Sequence, residues 1–541
     1  MAVRNHRLAT LILFAALTAA HTWPLAAAPG TWSRNDHADA LLNTWILAWV
    51  AHIVPEAPLS LFDANIFHPE RTTLAYSEHL VVPALMGAPL AWAGASPVLV
   101  HNLVLLAGLV LTGWVTCLVI SRWTGDTLAG VLAGTVAAFN AHTLTRLPHV
   151  QAMHVEFLPL ALLALDQLLE RRRVRDALAL AGWYSVQALC SGYLLLTAAT
   201  ALVAAALARV GEWLPRQRLL RTLALLALAG GLSVLLCLPF LLPYAQVRRE
   251  QGLVRPIDEV AGYSATVASY LSTGARVHFS TWSEPYYHRA GESLFPGVTA
   301  LLLAGGAVLT GLAWRDRRAR MLLAMAAVGL LFSFGPRYEP YRTLYEHLPL
   351  LQGLRAVARY GHLVIFGVGA LAAFALAAWR TRLRGRLTRG SAWAAVVGLL
   401  AVAGANLDAW RAPLTYARHD GIPRVYRTLA TVSDAVVAEF PFYGVDLVHR
   451  HAPYVLASTA HWRPLVNGYS GFIPPSLSRH AAEFSGFPDA TALRALRAAG
   501  VTHVVVHLDM MPGLAPRLRQ IPALQLVAAE GSLRIYRLDR R

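Results

Sequence analysis

The sequence predicts a polytopic α-helical membrane protein with about eleven transmembrane helices, followed by a small α/β domain on the extracytoplasmic side. Of its 541 residues 56% are hydrophobic and only 14% are charged, which is too little charge to cover a soluble protein of this length. Apolar runs of about 20 residues, the length that crosses a bilayer, recur along the chain. After Trp410 the composition changes and no further run of this kind appears.

Ten long apolar runs define the predicted spans. The run at 177–210 is too long for one helix and is broken at residues 191–193, so we expect two spans joined by a tight outer turn. A shorter run at 80–95 contains Pro83 and Pro89, so we expect an interfacial or re-entrant segment there. The ten long runs lie near 8–28, 98–121, 126–143, 153–169, 177–210, 219–242, 295–314, 321–335, 361–379 and 391–410.

Arginine-rich clusters orient these spans. They lie at 4–7, 171–175, 209–221, 315–320 and 380–389, and cytoplasmic loops collect basic residues. Eleven spans place all five clusters inside, with the N-terminus inside and the C-terminal domain outside. We therefore expect a multi-pass protein of a bacterial inner membrane. Topology explains the net charge of +17, so we expect the lipid bilayer and no nucleic acid as a partner.

The N-terminal run leaves an alternative open, because residues 26–28 could serve as a signal-peptide cleavage site. We favour an uncleaved first span. The sequence divides into a membrane domain at 1–410, whose first outer loop at 29–97 contains amphipathic helices such as 39–49, and an extracytoplasmic domain at 411–541. In that last domain the pattern predicts a strand at 434–440, a helix at 489–499, a strand at 501–507 and a hairpin of 524–529 with 533–538.

Two acids directly follow the first span. Asp36 and Asp39 would share one side of a helical turn, where they could hold a divalent cation such as Mg²⁺ or Mn²⁺, or where one could act as a general base. Helix capping and loop solvation are the alternatives, since Asp39 begins an amphipathic stretch. Glu78 and His79 end the same outer loop, where an acid beside a histidine can pass a proton; a polar loop end is the alternative.

Further candidates lie in the other outer segments. His149 and the less favoured His154 occupy an outer turn and could bind substrate or serve as caps. Arg355 and Arg359 would share a helix face and lie outside, against the positive-inside bias, so they could clamp a phosphate; ion pairs with loop acids are the alternative. Tyr193 at an outer turn and Glu292 before a span complete the candidates for substrate binding. The stretch 467–472 could stack on a sugar, although a plain turn is favoured.

This arrangement resembles the C-type glycosyltransferase superfamily of polytopic membrane enzymes. The resemblance lies in the acidic motif after the first span, the long first outer loop and the soluble C-terminal domain. The chain is also similar to uncharacterised bacterial members with an Asp before a Leu-Leu-Asn-x-Trp stretch, a His-x-Gln turn and a Leu-Arg-x-x-x-Arg stretch. Here these are Asp39 with residues 41–45, His149 with Gln151, and Leu354-Arg355 with Arg359.

The resemblance implies transfer of a hexosyl or pentosyl group from a polyprenyl-phosphate donor to an extracytoplasmic glycan, lipid or protein acceptor. It implies that Asp39 is the base or holds a metal, and that Arg355 and Arg359 neutralise the phosphate. Many members have adjacent acids in this loop, whereas Asp36 and Asp39 are three apart; we choose Asp39 because it precedes the Leu-Leu-Asn stretch. The rival functions are a lipid-linked glycan transporter and a non-catalytic membrane scaffold.

Overall fold

The fold is taken from a computed structural model that describes residues 2–33, 37–288, 292–386 and 389–539. Most of the chain is helical. Within the described residues the α-helices are α1 Ala2–His21, α2 Ala38–Glu56, α3 Val81–Trp92, α4 Pro97–Thr124, α5 Thr127–Ala138, α6 Ala141–Thr145, α7 Phe157–Arg171, α8 Val174–Ala188, α9 Gly192–Leu207, α10 Val210–Trp213, α11 Arg216–Gln251, α12 Ile257–Gly262, α13 Arg276–His278, α14 Val298–Leu309, α15 Leu312–Arg315, α16 Arg317–Ser333, α17 Glu339–His347, α18 Gly361–Arg386, α19 Gly390–Ala409, α20 Arg427–Ala430, α21 Ala452–Ala457, α22 Pro475–Glu483, α23 Ala490–Ala498 and α24 Leu514–Arg519.

The chain divides into two compact units. The first comprises residues 1–28, 103–241 and 254–415, and the second comprises 29–102, 242–253 and 416–541. The sequence predicts a domain boundary at residue 410 and a first outer loop, 29–97, that belongs to the membrane domain. In the structure residues 29–102 belong to the same compact unit as the C-terminal residues.

Helices of the first unit coincide with the predicted spans. Each of the apolar runs contains a helix, and the long run at 177–210 is divided into α8 and α9 at Ser191, which caps α9 by accepting a hydrogen bond from the Tyr193 amide. Six helices of the described residues are long and apolar enough to cross a membrane: Ala38–Glu56, Pro97–Thr124, Thr127–Thr145, Arg216–Gln251, Val357–Gly385 and Gly390–Ala409. The protein is a multi-pass membrane protein; the count of eleven spans stays a prediction.

Helix α18 is the packing centre of the first unit, with α5, α14, α16 and α19 as neighbours. Small residues permit this close approach. A Cβ atom on Gly367 would lie 2.7 Å from the Ala326 side chain of α16, and one on Gly329 would lie 2.7 Å from the Leu363 side chain. This packing holds both ends of α18 in place. The C-terminal end contains arginines, and residues at the N-terminal end line a cavity that is described below.

Buried ion pairs join the helices where arginine clusters were predicted. Arg380 and Arg384 of α18 both donate to Asp126, the N-cap residue of α5, with 3.1 Å for Arg384. Arg209 lies 2.5 Å from Asp166, and its side chain is fully buried. These carboxylates compensate the buried guanidinium groups of Arg380 and Arg209, so these arginines hold helices together.

The helix predicted in the first outer loop forms, but it is not amphipathic as expected. It forms α2, but residues 40–47 are all buried, with no more than 5% of any residue exposed. The helix packs against α3 and α21 within the second unit. An interface helix would expose one face, whereas α2 is covered all round because its sequence is apolar on every face. The short run at 80–95 forms α3, whose 12 residues are fewer than a span requires.

The predicted strands and hairpin of the C-terminal segment are present. The mixed sheet has the order β3-β4-β6-β5, and strands β3 and β4 run parallel while β4–β6 and β6–β5 are antiparallel. Asp489 caps α23, accepting a hydrogen bond from the Ala492 amide at 2.7 Å, and Gly500 follows the helix with φ +77°. The strands are β1 Trp32–Ser33, β2 Ala417–Arg418, β3 Val437–Phe440, β4 His503–His507, β5 Leu524–Glu530 and β6 Leu533–Leu538.

Candidate functional site

A partly open cavity lies in the first unit, with about 590 Å³ of space between protein atoms that includes open solvent. It is built from the segment that follows α5, the start of α9 and the start of α18. Phe366 lines it and lies 14 residues before Arg380 on α18, so the cavity is about 21 Å along the helix from that arginine cluster. The polar lining residues are Asn140, His142, Thr143, Arg146, His149, Gln151, Ser191, Tyr193, Thr197, Arg359 and His362.

Local hydrogen bonding explains how these side chains reach the cavity. Asn140 follows α5 and caps the short helix α6, accepting a hydrogen bond from the Thr143 amide at 2.9 Å. That short helix carries His142. A 3₁₀ turn at Val150–Met153 then carries Gln151. Because the chain turns twice within fifteen residues, one segment supplies most of the polar groups.

The cavity favours anions. Two arginines and three histidines line it, and none of the described lining residues is an acid. Arg146 is 7% exposed, so its guanidinium acts in a region of low dielectric where its charge is felt strongly. Phosphate is the anion that arginine binds best, because the planar guanidinium donates two parallel hydrogen bonds.

Two residues that line the cavity have a buried polar atom without a hydrogen-bond partner in the described protein. His142 and Gln151 are each 5% exposed, and among the described residues neither the His142 Nδ1 atom nor the Gln151 Oε1 atom has a hydrogen-bond partner in the protein. Buried polar atoms are almost always satisfied by protein, water or ligand. The cavity is therefore suited to a polar occupant rather than to a lipid tail.

Tyr193 connects two parts of this wall. The Arg359 guanidinium carbon lies 3.9 Å from the centroid of the Tyr193 ring. The Tyr193 hydroxyl accepts hydrogen bonds from the backbone amides of Arg355 and Ala356, at 3.2 and 3.1 Å. The predicted outer-turn residue thus contacts the predicted arginine segment.

The expectation that Arg355 and Arg359 share a helix face is wrong. Leu354 is extended, with ψ 124°, and Val357–Tyr360 is a 3₁₀ turn, so the four-residue spacing does not bring the two side chains together. Arg359 lines the cavity, whereas Arg355 is not among the lining residues. The Arg355 guanidinium carbon lies 4.8 Å from the centroid of the Tyr263 ring. One of its guanidinium nitrogens lies 4.0 Å from a Glu259 carboxylate oxygen.

His149 lines the cavity and is half-buried, but His154 is not available to a substrate. Its ring is fully buried, and its Nδ1 atom lies 2.9 Å from a Glu156 carboxylate oxygen. A Cβ on Gly108 would lie 2.9 Å from the same ring, which shows how closely α4 packs on it. These contacts indicate that His154 stabilises the fold. Glu292, which is half-buried ahead of α14, does not line the cavity.

Asp39 lies in the second unit, in the first turn of α2, where the positive end of the helix dipole stabilises a carboxylate. Its Oδ1 atom accepts a hydrogen bond from the Tyr469 hydroxyl at 2.6 Å. Its side chain is 28% exposed and its other oxygen lies 3.9 Å from the His37 ring. The stretch 467–472 therefore does more than form a turn, since it holds the predicted catalytic acid.

His79 is a poor candidate for substrate contact. It is 2% exposed, and burial lowers the pKa of its imidazole to about 4. Its Nδ1 atom accepts a hydrogen bond from the Val81 amide at 3.3 Å, at the start of α3. A neutral, buried ring in this position is suited to fixing the loop. Glu78 is half-buried beside it.

Of the two carboxylates expected to bind a divalent cation, the structure describes only that of Asp39. Asp36 lies outside the described residues. Among the residues that the structure describes, no three His, Cys, Asp or Glu side chains lie close enough together to hold a metal ion. The cation therefore stays a prediction that depends on Asp36.

Comparison with solved structures gives the fold. The arabinofuranosyltransferase AftD from mycobacteria aligns with a TM-score of 0.63 at 18% identity, over 99% of this chain and 40% of AftD. The oligosaccharyltransferase AglB from Archaeoglobus fulgidus aligns at 0.54 and 13% identity, over 94% of this chain and 70% of AglB. ArnT from Cupriavidus metallidurans aligns with a TM-score of 0.50 at 12% identity, over 99% of this chain and 98% of ArnT.

This chain has the C-type glycosyltransferase fold. It spans about 40% of the length of AftD. No family model and no curated protein matches the sequence. The predicted resemblance is confirmed at the level of the fold, with the acid after the first helix and the C-terminal α/β residues both present in the second unit.

Three ionisable residues that line the cavity were not among the predicted site residues: His142, Arg146 and His362. A signal existed for Arg146, which lies in a predicted outer turn against the positive-inside bias, as Arg359 does. The two histidines carry no such signal, because each lies within an apolar run. Tyr469 was noted only as part of a turn, and its contact with Asp39 joins residues 430 positions apart.

Proposed function

We propose that this protein is a membrane glycosyltransferase that moves a sugar from a polyprenyl-phosphate carrier to an extracytoplasmic acceptor. The observation that carries the proposal is the cavity, in which Arg146 and Arg359 lie among histidine, amide and hydroxyl groups with no acid among the described lining residues. A phosphate bearing a sugar matches this lining in both charge and hydrogen bonding. The fold supports the same class of enzyme.

The arginines would act on the leaving group. When the bond between the sugar C1 atom and the phosphate oxygen breaks, negative charge grows on that oxygen. Fixed guanidinium groups stabilise this charge more strongly than water does, because they need no reorganisation during the reaction. Arg146 is buried and Arg359 rests on the Tyr193 ring, so both are held in place.

Asp39 would activate the acceptor. Its carboxylate takes the proton of the acceptor hydroxyl as that oxygen forms a bond to C1 and the phosphate departs, which inverts the configuration at C1. The hydrogen bond from Tyr469 holds one oxygen of the carboxylate in place. If a divalent cation is bound by Asp36 and Asp39 together, it would lower the pKa of the acceptor hydroxyl instead.

The lipid carrier is supported by a related fold. AglB was solved with a dolichol-phosphate and an inhibitory peptide, and AftD is an arabinofuranosyltransferase. The donor sugar, a pentose or a hexose, is left open, as is the acceptor. We place the enzyme in a bacterial inner membrane with the cavity and Asp39 on the extracytoplasmic side, where the arginine clusters put the outer loops.

The test is a glycan and polyprenyl-lipid profile, by mass spectrometry, of a strain that lacks the gene. The strain is complemented with wild type, Asp39→Asn or Arg359→Gln at matched protein levels. Asp420→Asn is the matched control, because its carboxylate is 83% exposed and pairs only with Arg418 in the described structure. We expect wild type and the control to restore a missing glycan. The two site variants should instead accumulate a polyprenyl-phosphate sugar.

If Asp39→Asn restores the missing glycan, Asp39 is not the base, and the proposed phosphate site is unaffected by that result. Restoration by both site variants, or a profile that does not depend on the gene, would contradict the transferase proposal and favour the scaffold. These results differ, so each part of the proposal can fail separately.

A further inference from the structure

The second cavity arginine sits on a segment with little regular structure of its own. Arg359 belongs to the four-residue 3₁₀ turn Val357–Tyr360, and the residues before it are extended or irregular. Such a segment has few internal hydrogen bonds to fix its position. The place of the Arg359 guanidinium therefore depends on groups outside the segment.

Tyr193 provides two such contacts from the start of α9. Its hydroxyl accepts hydrogen bonds from two consecutive backbone amides, Arg355 and Ala356, at 3.2 and 3.1 Å. Its ring faces the guanidinium of Arg359, 3.9 Å from the ring centroid. One side chain thus anchors the backbone that leads to Arg359 and also the cationic end of Arg359 itself.

We propose that Tyr193 is a positioning residue that sets the place of the Arg359 guanidinium for the phosphate of the lipid carrier; the inference rests on the proposed function. A guanidinium that lies on an aromatic face keeps its N–H edge available for a planar, two-point contact with an anion. The ring also excludes water from one face of the cation. Tyr193 contributes to affinity through Arg359 rather than through a contact of its own.

This role differs from two simpler ones. If Tyr193 contacts the sugar or phosphate directly, its loss weakens binding whether or not Arg359 is present. If Tyr193 only stabilises α9, its loss lowers thermal stability without a specific effect on phosphate affinity. Only positioning makes the effect of Tyr193 depend on Arg359, which a double-mutant cycle measures.

The experiment uses purified full-length protein in detergent and undecaprenyl phosphate as the probe, with binding followed by native mass spectrometry. The variants are Tyr193→Leu, Tyr193→Phe, Arg359→Gln and the double variant Tyr193→Leu/Arg359→Gln. Tyr184→Phe is the matched control, since Tyr184 donates a hydrogen bond to the Leu195 carbonyl at 3.2 Å and does not line the cavity. Thermal unfolding of each variant is measured alongside.

We expect Tyr193→Leu to weaken binding about tenfold in the wild-type background and less than about twofold when Arg359 is already Gln. Tyr193→Phe keeps the ring and loses only the hydroxyl, so we expect a loss of about threefold. This milder variant keeps the test valid if Tyr193→Leu does not fold. Tyr184→Phe should bind as wild type does.

Losses that multiply in the double variant, or unchanged affinity in both Tyr193 variants, would overturn the positioning role while leaving the phosphate site intact. Absence of saturable binding by the wild-type protein would overturn the proposed function, and the inference with it. The second result is visible before any variant is compared, so the two failures are distinguishable.

Discussion

His451 makes the second unit sensitive to acid. Its ring is fully buried, and its Nε2 atom accepts a hydrogen bond from the Tyr443 amide at 2.9 Å. Its Nδ1 atom lies 3.2 Å from the Gly468 carbonyl oxygen, so the ring is neutral with its proton on Nδ1. Burial lowers the pKa of His451 to about 4. A second proton would both charge a buried ring and remove the acceptor that the Tyr443 amide uses.

The sign of the effect follows from proton binding. In the unfolded chain the imidazole has its usual pKa of 6.5, so below that pH the unfolded state takes up a proton that the folded state refuses. His451 therefore stabilises the fold fully above pH 6.5 and loses this contribution as the pH falls toward 4. With these two pKa values the loss is about 2 kcal/mol at pH 5 and about 3 kcal/mol at pH 4.

The consequence reaches the proposed catalytic acid. Gly468, whose carbonyl binds His451, directly precedes Tyr469, whose hydroxyl holds Asp39. Gly468 packs closely on Phe67, since a Cβ at this position would lie 2.4 Å from the Phe67 ring. Protonation of His451 removes the acceptor of the Tyr443 amide and leaves a buried charge beside the Gly468 carbonyl. We expect this to destabilise the segment that positions the Asp39 carboxylate, so that activity falls together with protection of this segment.

The assay is hydrogen exchange of full-length protein at pH 7 and pH 5, corrected for intrinsic exchange rates and read on peptides from 437–470. The comparison variant is His451→Gln, whose amide can replace both hydrogen bonds but cannot be protonated. We expect wild type to be more stable than the variant at pH 7, and the difference to shrink by about 2 kcal/mol at pH 5. An equal difference at the two pH values would refute the reasoning, because other histidines of the unit are common to both proteins.

Three further results are expected. Asp166→Ala should lower stability by about 3 kcal/mol, since it removes one of the two carboxylates that bind the buried Arg209, while Glu212 remains; thermal unfolding of purified protein measures this, and an unchanged melting temperature would contradict it. Gly468→Ala should destabilise by about 1–3 kcal/mol through overpacking against Phe67, seen as faster hydrogen exchange in 467–472, and wild-type exchange rates would refute the clash. Reporter fusions after residue 175 and after residue 410 should report the cytoplasm and the outside respectively, and the reverse result would invert the proposed site.

The helices of the first unit were predictable because membrane spans are specified locally, by runs of apolar residues with breaks such as Ser191. The strands and the capped helix of the C-terminal residues were predictable for the same reason. The burial of α2 was not, since its tryptophans suggested an interface and only the structure shows that α3 and α21 cover it. Local patterns give the element, but the neighbours decide which faces are buried.

The site was less predictable, for two physical reasons. The spacing of Arg355 and Arg359 suggests one helix face, yet the backbone there is extended and then 3₁₀, because Tyr193 of another helix binds its amides. The contact between Tyr469 and Asp39 joins distant parts of the chain and follows from no local rule. By contrast, His149 and Arg359 were found because polar residues in outer turns carry a signal that local sequence can show.

Two buried polar atoms of the cavity residues carry an energetic cost that a polar occupant would remove. The His142 Nδ1 and Gln151 Oε1 atoms are buried, and the described part of the protein offers neither of them a hydrogen bond. Each such atom costs about 1–3 kcal/mol when unsatisfied, and two of them amount to a large fraction of the 5–15 kcal/mol that holds a typical domain folded. Apolar side chains of similar size would avoid this cost. A donor that carries a phosphate and a sugar has hydroxyl and phosphate oxygens that can supply the missing hydrogen bonds and so remove this cost.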